Sequence, residues 1–262
     1  MIIPFGGNMN INNKLSLSVL VLTGYASFAS AEITDVIEKT YDFDKNGKIS
    51  LSNINGDVTI SSCDCEQVQL TATVTASDQE TRDKITVKIN ASESNLSIKT
   101  KYAKQENHSR NSNNHSSVEY KLSVPNDVSL DQIELINGDL NITGVTGALD
   151  ADLVNGELTS DGMTANTEVE LVNGDMEITF SNLNHAEKIK LESVNGNILV
   201  NLPSDANVDV DAQTVSGRIS NDFGIEVNKG RYVGSDMKGI IGDGSVSLSM
   251  ENVNGRIQLK SL

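Results

Sequence analysis

The chain has 262 residues, with 36 acidic and 20 basic side chains, a formal charge of −16 and no tryptophan. That length allows one or two domains with a sizeable core, and the scarcity of aromatics makes it a core of small aliphatic side chains. The acidic balance excludes the basic footprint on which binding to nucleic acid or to anionic membranes depends.

Lys14 is the single charged residue among the first 31, and the apolar run LSLSVLVLTGYASFA follows it, ending at Ala29-Ser30-Ala31 before Glu32. A positive start, an apolar stretch and an A-x-A site predict a signal peptide over residues 1–31, cleaved after Ala31. Met9 offers an alternative start. The run is short for a bilayer span, and no later segment is long and apolar enough to cross one. The sequence therefore predicts export to the periplasm, the cell surface or the medium, with no transmembrane span in the mature chain.

DFDKNGKISLSN, from Asp42 to Asn53, comes close to a calcium-binding EF-hand loop. Asp42, Asp44, Asn46 and Gly47 fit that pattern, but its twelfth position needs a bidentate Glu and holds Asn53. The spacing of Ile33, Val36, Ile37 and Tyr41 allows a short helix before the loop, yet Leu51 onward reads as strand. A strand-to-strand turn with Asn46-Gly47 at its tip is the better reading. Cys63 and Cys65 are the whole cysteine inventory. They project from one face of a strand, and export leaves a disulfide between them open. With no clustered His they are too few for a zinc site.

Alternating apolar residues predict strands at Val68–Val74, Ile85–Ile89, Leu96–Ile98 and Val118–Val124. These read as an antiparallel sheet that caps the C-terminal half of the chain. AKQENHSRNSNNHSS, between Tyr102 and Val118, reads as a polar loop.

A repeated phrase organises the rest. NINGDVTI, LINGDLNI, LVNGELTS, LVNGDMEI, SVNGNILV, TVSGRISN and NVNGRIQL place glycines at Gly56, Gly138, Gly156, Gly174, Gly196, Gly217 and Gly255. Asn55, Asn137, Asn155, Asn173, Asn195 and Asn254 precede six of them; the copy at Gly217 has Ser216 instead. From Gly138 onward the intervals are 18, 18, 22, 21 and 38 residues, the last about two units. Such a period is the mark of a solenoid. Apolar columns recur four residues before each Asn, one before it (Ile54, Ile136, Val154, Val172, Val194, Val215, Val253), and three and five after it. We read Leu51, Ile54 and Val58 as core positions of the first coil.

An isolated Asn-Gly signals a tight hairpin, but a hairpin meander has no reason to repeat the same columns in the same order. The fold expected is all-β: a β-solenoid over residues 129–262, preceded by an antiparallel cap over 32–128 and continuous with it. Each Asn would stack on the Asn of the next coil, and each Gly would supply a backbone conformation that a Cβ disfavours.

The order KTYDFDKNGKISLSNINGDVTI, CEQVQLTATV, VEYKLSVP and then the INGD and VNGD coils resembles the "putative adhesin" family of bacterial exported proteins, a domain of unknown function with β-solenoid structure. The likeness runs from about Glu38 to Leu262. It implies a cell-envelope protein without recognised catalytic residues.

Two residues after each Asn come Asp57, Asp139, Glu157, Asp175, Asn197, Arg218 and Arg256. Asp139, Glu157 and Asp175 would share one column. Like charges at strand spacing repel unless solvated or bridged, so the column is either a solvated face or a ladder for divalent cations; the calcium repeats that mark such ladders are missing. No Ser or Cys nucleophile with a positioned base can be named, and no Lys or Arg falls near the acidic column. His108 and His115 sit in the polar loop, and His185 stands alone. GIIGDG, Gly239–Gly244, has the wrong spacing for a dinucleotide fingerprint, so no cofactor is expected. The N-x-S/T sequons at Asn90, Asn95, Asn107, Asn114 and Asn141 matter only where a eukaryotic glycosylation pathway exists. The reading is a non-enzymatic binding or structural module of the envelope, whose partner is a protein or glycan. The alternatives are an envelope-sensing accessory to a membrane protein and a carbohydrate-active β-helix enzyme.

Overall fold

The computed structural model describes residues 32–103, 115–230 and 233–262. The expected signal peptide and most of the polar loop, with His108, Asn107 and Asn114, lie outside them. Residues Ala31–Leu262 form one compact unit.

The first half contains β1 (Ile33–Asp42), β2 (Lys48–Asn55), β3 (Val58–Cys63), β4 (Gln67–Ala76), α1 (Gln79–Asp83), β5 (Ile85–Ala91), β6 (Asn95–Tyr102) and β7 (Ser116–Pro125). The repeats supply β8 (Ser129–Asn137), β9 (Leu140–Thr143), β10 (Leu149–Asn155), β11 (Leu158–Asn173), β12 (Met176–Asn195), β13 (Ile198–Leu202), β14 (Val208–Asn221), β15 (Val227–Lys229), β16 (Ser235–Ile241) and β17 (Val246–Ser261). β11, β12, β14 and β17 bend and serve two sheets each.

Each repeat enters its Asn-Gly turn in one sheet and leaves it in the other. The leading sheet holds the segments before the turns, in parallel register: Asn55, Asn137, Asn155, Asn173, Asn195, Asn254 and Ser216 fall in one row. The trailing sheet holds the segments after them, with Val58, Leu140, Leu158, Met176, Ile198, Ile257 and Ile219 in register. Those residues face Leu51, Ile133, Ala151, Val169, Leu191, Met250 and Ala212 of the leading sheet, and all are buried. Period-two alternation thus places one apolar row per sheet in a shared core.

The order of the rungs departs from the order of the chain. β17 lies between β12 and β14, pairing with both, so the rung of Gly255 is inserted between those of Gly196 and Gly217. The 38-residue interval is therefore an excursion and a return. Its middle supplies β16, which pairs antiparallel to β14 on the side away from β17, and β15, which pairs with β16. These strands cover an edge that would otherwise expose unpaired backbone.

The other end is also not sequential. The rung of Gly56 stacks on that of Gly138, 82 residues away. On its far side the two sheets continue separately: β6 runs parallel to β2 and carries β5, while β7 runs parallel to β3 and carries β4 and then β1. The cap is antiparallel within itself and joins the coils through parallel pairs. α1 connects its two halves. The Asp78 carboxylate accepts from the Thr81 N–H at 2.7 Å as the N-cap, and that bond holds the carboxyl below its ordinary range. Arg82 donates to Asp35 of β1 at 2.6 Å.

Ile33–Asp42 is strand rather than the short helix its spacing allowed. Ile33, Ile37 and Tyr41 lie four apart, a spacing that suits one face of a helix and one face of a strand alike. Pairing with β4 along all ten residues decides it.

Candidate functional site

The Asn-Gly turns stack into a continuous edge. Asn137 donates its side-chain amide to Asn55, Asn155 to Asn137, Asn173 to Asn155 and Asn195 to Asn173, each at 2.9 Å, and Asn254 donates to Asn195 at 3.0 Å. Ser216 ends the row. The glycines lie where a neighbouring backbone passes closest. Gly174 has φ +139°, and a Cβ there would strike the carbonyl oxygen of Gly156. Gly217 lacks the positive φ, but a Cβ on it would strike Gly255 in the same way.

The acidic column belongs to this edge. The Asp57 carboxylate accepts from the Asp139 N–H at 2.9 Å, Asp139 from the Glu157 N–H at 2.8 Å, and Asp175 from the Asn197 N–H at 2.7 Å. Asn197 also donates its side-chain amide to both Asp175 oxygens, at 3.0 Å each. Charge-assisted bonds from backbone N–H groups offset the repulsion between stacked carboxylates. Among the described residues no group of three or more His, Cys, Asp or Glu side chains is placed to hold a metal ion.

The insertion of β17 changes the column's neighbours. Arg256 follows Asn197 directly, donating to its side-chain oxygen from the backbone at 3.1 Å and from Nε at 3.3 Å. Arg256 shares a shallow groove of about 270 Å³ with Glu157, Asp175 and Glu177. The expectation that no arginine falls near the acidic column is therefore corrected. Chain order puts Arg256 at the far end of the row, whereas rung order puts it two rungs from Asp175.

The calcium-like loop resolves into other roles. Asn53, its twelfth position, is buried in β2 and donates to the carbonyls of Asn55, Gly56 and Val118 at 3.1, 3.0 and 2.8 Å. Cys63 and Cys65 are joined by a disulfide where β3 turns into β4.

One column expected in the core lies outside it. Ile136, Val154, Val172, Val194 and Val253 are 40–43% exposed, Val215 is 61% exposed, and Ile54 is half-buried. The residue before each of these faces inward instead: Leu135, Leu153 and Leu171 in three rungs, and Asn53, Ser193, Asn252 and Thr214 in the others, all buried. Strand parity forces this, because positions one and four before the Asn differ by an odd number and cannot share a face. The outer surface of the leading sheet thus carries an aligned Ile/Val stripe along six consecutive rungs.

Beside the stripe runs a second exterior column, three residues before each Asn: Glu134, Asp152, Glu170, Glu192 and Glu251 in successive rungs. Lys190 reaches Glu168 and Glu192 at 3.1 Å and Glu170 at 3.4 Å, and its bonds to Glu192 and then Glu168 raise its pKa above the ordinary lysine value. Farther along the column the carboxylates face one another. Partial burial, then Glu170, Asp150 and Glu134, push Asp152 above the ordinary carboxylate value of 3.8; Asp150 shifts the same way, through partial burial and then Glu168 and Asp131. A carboxyl whose folded pKa is raised costs stability as pH climbs past its unfolded value and costs nothing below it. Asp152→Asn is therefore expected to raise the melting temperature at pH 7 by about 1–2 °C, a screened surface effect of roughly 0.5 kcal/mol, with the gain vanishing at pH 3. Thermal melts at the two pH values check this.

The stripe and the acidic column meet at a shallow groove of about 370 Å³, lined by Val172, Val194, Val215 and Val253 together with Glu192 and Glu251. Solvent-exposed apolar rows of this kind mark interaction surfaces.

A solved structure shares the fold. The crystal structure described as a putative cell adhesion protein from Clostridium sporogenes aligns with a TM-score of 0.51 at 16% identity, over 87% of this chain and 100% of that one. One described as a putative lipid binding protein from Parabacteroides distasonis aligns at 0.40 and 13% identity, over 86% of this chain and 96% of that one. One described as a putative adhesin from Bacteroides fragilis aligns at 0.32 and 11%, over 86% and 97%. A search of the curated proteins gave no match. The family model Toastrack DUF4097 matches residues 6–260, and this chain, with its stacked turns and β-solenoid body, belongs to that family.

Proposed function

We propose that the protein is an exported, non-enzymatic binding module of the bacterial cell envelope, adhesin-like in that it holds an external ligand on a rigid face. The observation that carries this reading is the Ile/Val stripe: six rungs present aligned β-branched side chains to solvent beside a column of carboxylates. A contiguous exposed apolar row is characteristic of a surface that a partner covers. The fold supports the reading, because every rung is fixed to its neighbours by ladder bonds and the face needs no ordering on binding. The predicted signal peptide supports export, and among the described residues no helix is long and apolar enough to cross a membrane. Cell adhesion, the role named for the Clostridium sporogenes protein, agrees with it.

The test has two arms. Fractionation of the native cell should find the protein in the periplasm, on the surface or in the medium; a cytoplasmic pool alone would overturn export. The purified protein should bind isolated native envelopes saturably, and Val172→Glu with Val194→Glu should weaken that at least tenfold while circular dichroism stays unchanged. Binding indifferent to both substitutions would sink the reading.

A further inference from the structure

We propose that the outer face of the leading sheet receives a cationic amphipathic α-helix, lying along the solenoid axis with its apolar side on the Ile/Val stripe and its lysines or arginines over the neighbouring carboxylates. This rests on the binding-module reading and names the partner's chemistry.

Charge complementarity comes first. Glu134, Asp152, Glu170, Glu192 and Glu251 stand two residues along the strand from Ile136, Val154, Val172, Val194 and Val253, which is about 6.6 Å at 3.3 Å per residue. Lys190 engages Glu168, Glu170 and Glu192, while Asp152 is surrounded by further carboxylates. A partner with a row of positive charge at that offset relieves this repulsion and gains on encounter rate. The opposite flank of the stripe is the Asn ladder, whose amides already bond one another, so it offers a neutral shoulder. A partner therefore needs one basic side and one apolar side.

Geometry selects a helix. The stripe crosses the strands, so its apolar groups recur at the rung spacing of about 4.8 Å. A helix presents one apolar row every turn, about 5.4 Å, and drifts only about 3 Å over six rungs. An extended segment repeats one face every 6.6–6.8 Å and falls out of step within two rungs. The stripe also lies on a sheet face, where the backbone groups of the middle strands are paired on both sides, so an added strand finds no ladder to join. The row spans about 24 Å, the length of roughly 16 helical residues. A second copy of this chain is disfavoured, since it would bring the same acidic column to the contact, and an anionic lipid surface is repelled for the same reason.

The experiment uses a synthetic 18-residue peptide with leucines at i, i+3, i+4 and i+7 spacing and lysines along one flank, titrated into the purified protein. The expected result is micromolar binding with a gain of helical circular dichroism. Val172→Glu with Val194→Glu should weaken it at least tenfold, and Glu170→Gln with Glu251→Gln should weaken it about fivefold and flatten its salt dependence. Equal binding by a peptide of the same composition with leucine and lysine alternating would overturn the helix. Equal binding by a glutamate-flanked helix would overturn the charge assignment. A concentration-dependent dimer abolished by Val172→Glu would assign the stripe to self-association instead. If native envelopes capture the protein through the stripe and the helical peptide does not bind, the inference fails and the binding-module reading stands. If neither binds, both fail.

Discussion

Replacing Gly174 by alanine is expected to cost about 3–5 kcal/mol, lowering the melting temperature by roughly 10–15 °C. Two effects combine there. The backbone has φ +139°, which costs a residue bearing a Cβ about 1–3 kcal/mol. The added methyl also points at the carbonyl oxygen of Gly156 in the adjacent rung, a residue whose N–H is held by Asn173 O. Relief requires the rungs of Gly156 and Gly174 to separate, which weakens the bond from the Gly156 N–H to Asn173 O at 3.1 Å. Gly224 provides the comparison: its φ is +74°, and a Cβ there meets nothing within 4 Å. Gly224→Ala should cost about 1 kcal/mol from backbone strain alone. Equilibrium denaturation of the two variants reads the difference, and equal effects would mean that close approach between rungs contributes nothing.

Ending the chain after Ser245 is expected to abolish the cooperative thermal transition. The missing segment is β17, which lies between β12 and β14 and buries Val246, Leu248, Met250, Ile257 and Leu259. At about 1.5–3 kcal/mol for each buried aliphatic side chain, their loss is comparable to the roughly 5–15 kcal/mol that holds a typical domain folded. A solenoid stacked in chain order would lose a terminal coil and keep its remaining rungs. A peptide of residues 246–262 added to the truncated chain should restore the transition, because its place lies between two preformed edges. A truncated chain that melts within a few degrees of the intact one would show that β14 closes directly onto β12 and that the interior position of β17 is dispensable.

The fold was legible where a column and a parity agreed. The apolar residues three and five after each Asn, and four before it, have one period and one sense, and they fill the core in nearly every rung. The apolar residue one before each Asn misled, because Val and Ile suit a strand on either face and hydrophobicity alone does not say which. The corrective was present in the parity, but the inward position beside it was masked by Asn53, Ser193, Thr214 and Asn252. Those polar residues fall toward the ends of the stack, where the Asn53 and Asn252 amides and the Thr214 hydroxyl donate to backbone carbonyls of neighbouring strands. The stripe, which is the candidate site, was therefore visible as residues and misassigned as core.

The order of the rungs was not legible from spacing, since an interval of two units fits an inserted strand and a skipped coil equally well. One residue carried the hint. Ser216, where the row otherwise holds Asn, stands at the last rung, with no further turn beyond it to bond. A row of amides needs no member past its end. The nearness of Arg256 to Asp175 follows from the same ordering and was hidden with it.

A consequence of the inserted strand concerns time rather than energy. Chains are made, and threaded across membranes, from the N-terminus onward. A stack built in chain order closes coil by coil as it emerges. Here the closing piece is made after the rung on its far side: until residues 246–261 arrive, the slot between the rungs of Gly196 and Gly217 stands unfilled, and the step from acidic Asp175 through Asn197 to basic Arg256 does not yet exist. Closure of the core therefore waits for a strand made after the rung of Gly217 that it joins to the rest. A product ended before Val246 lacks an interior strand rather than a terminal coil.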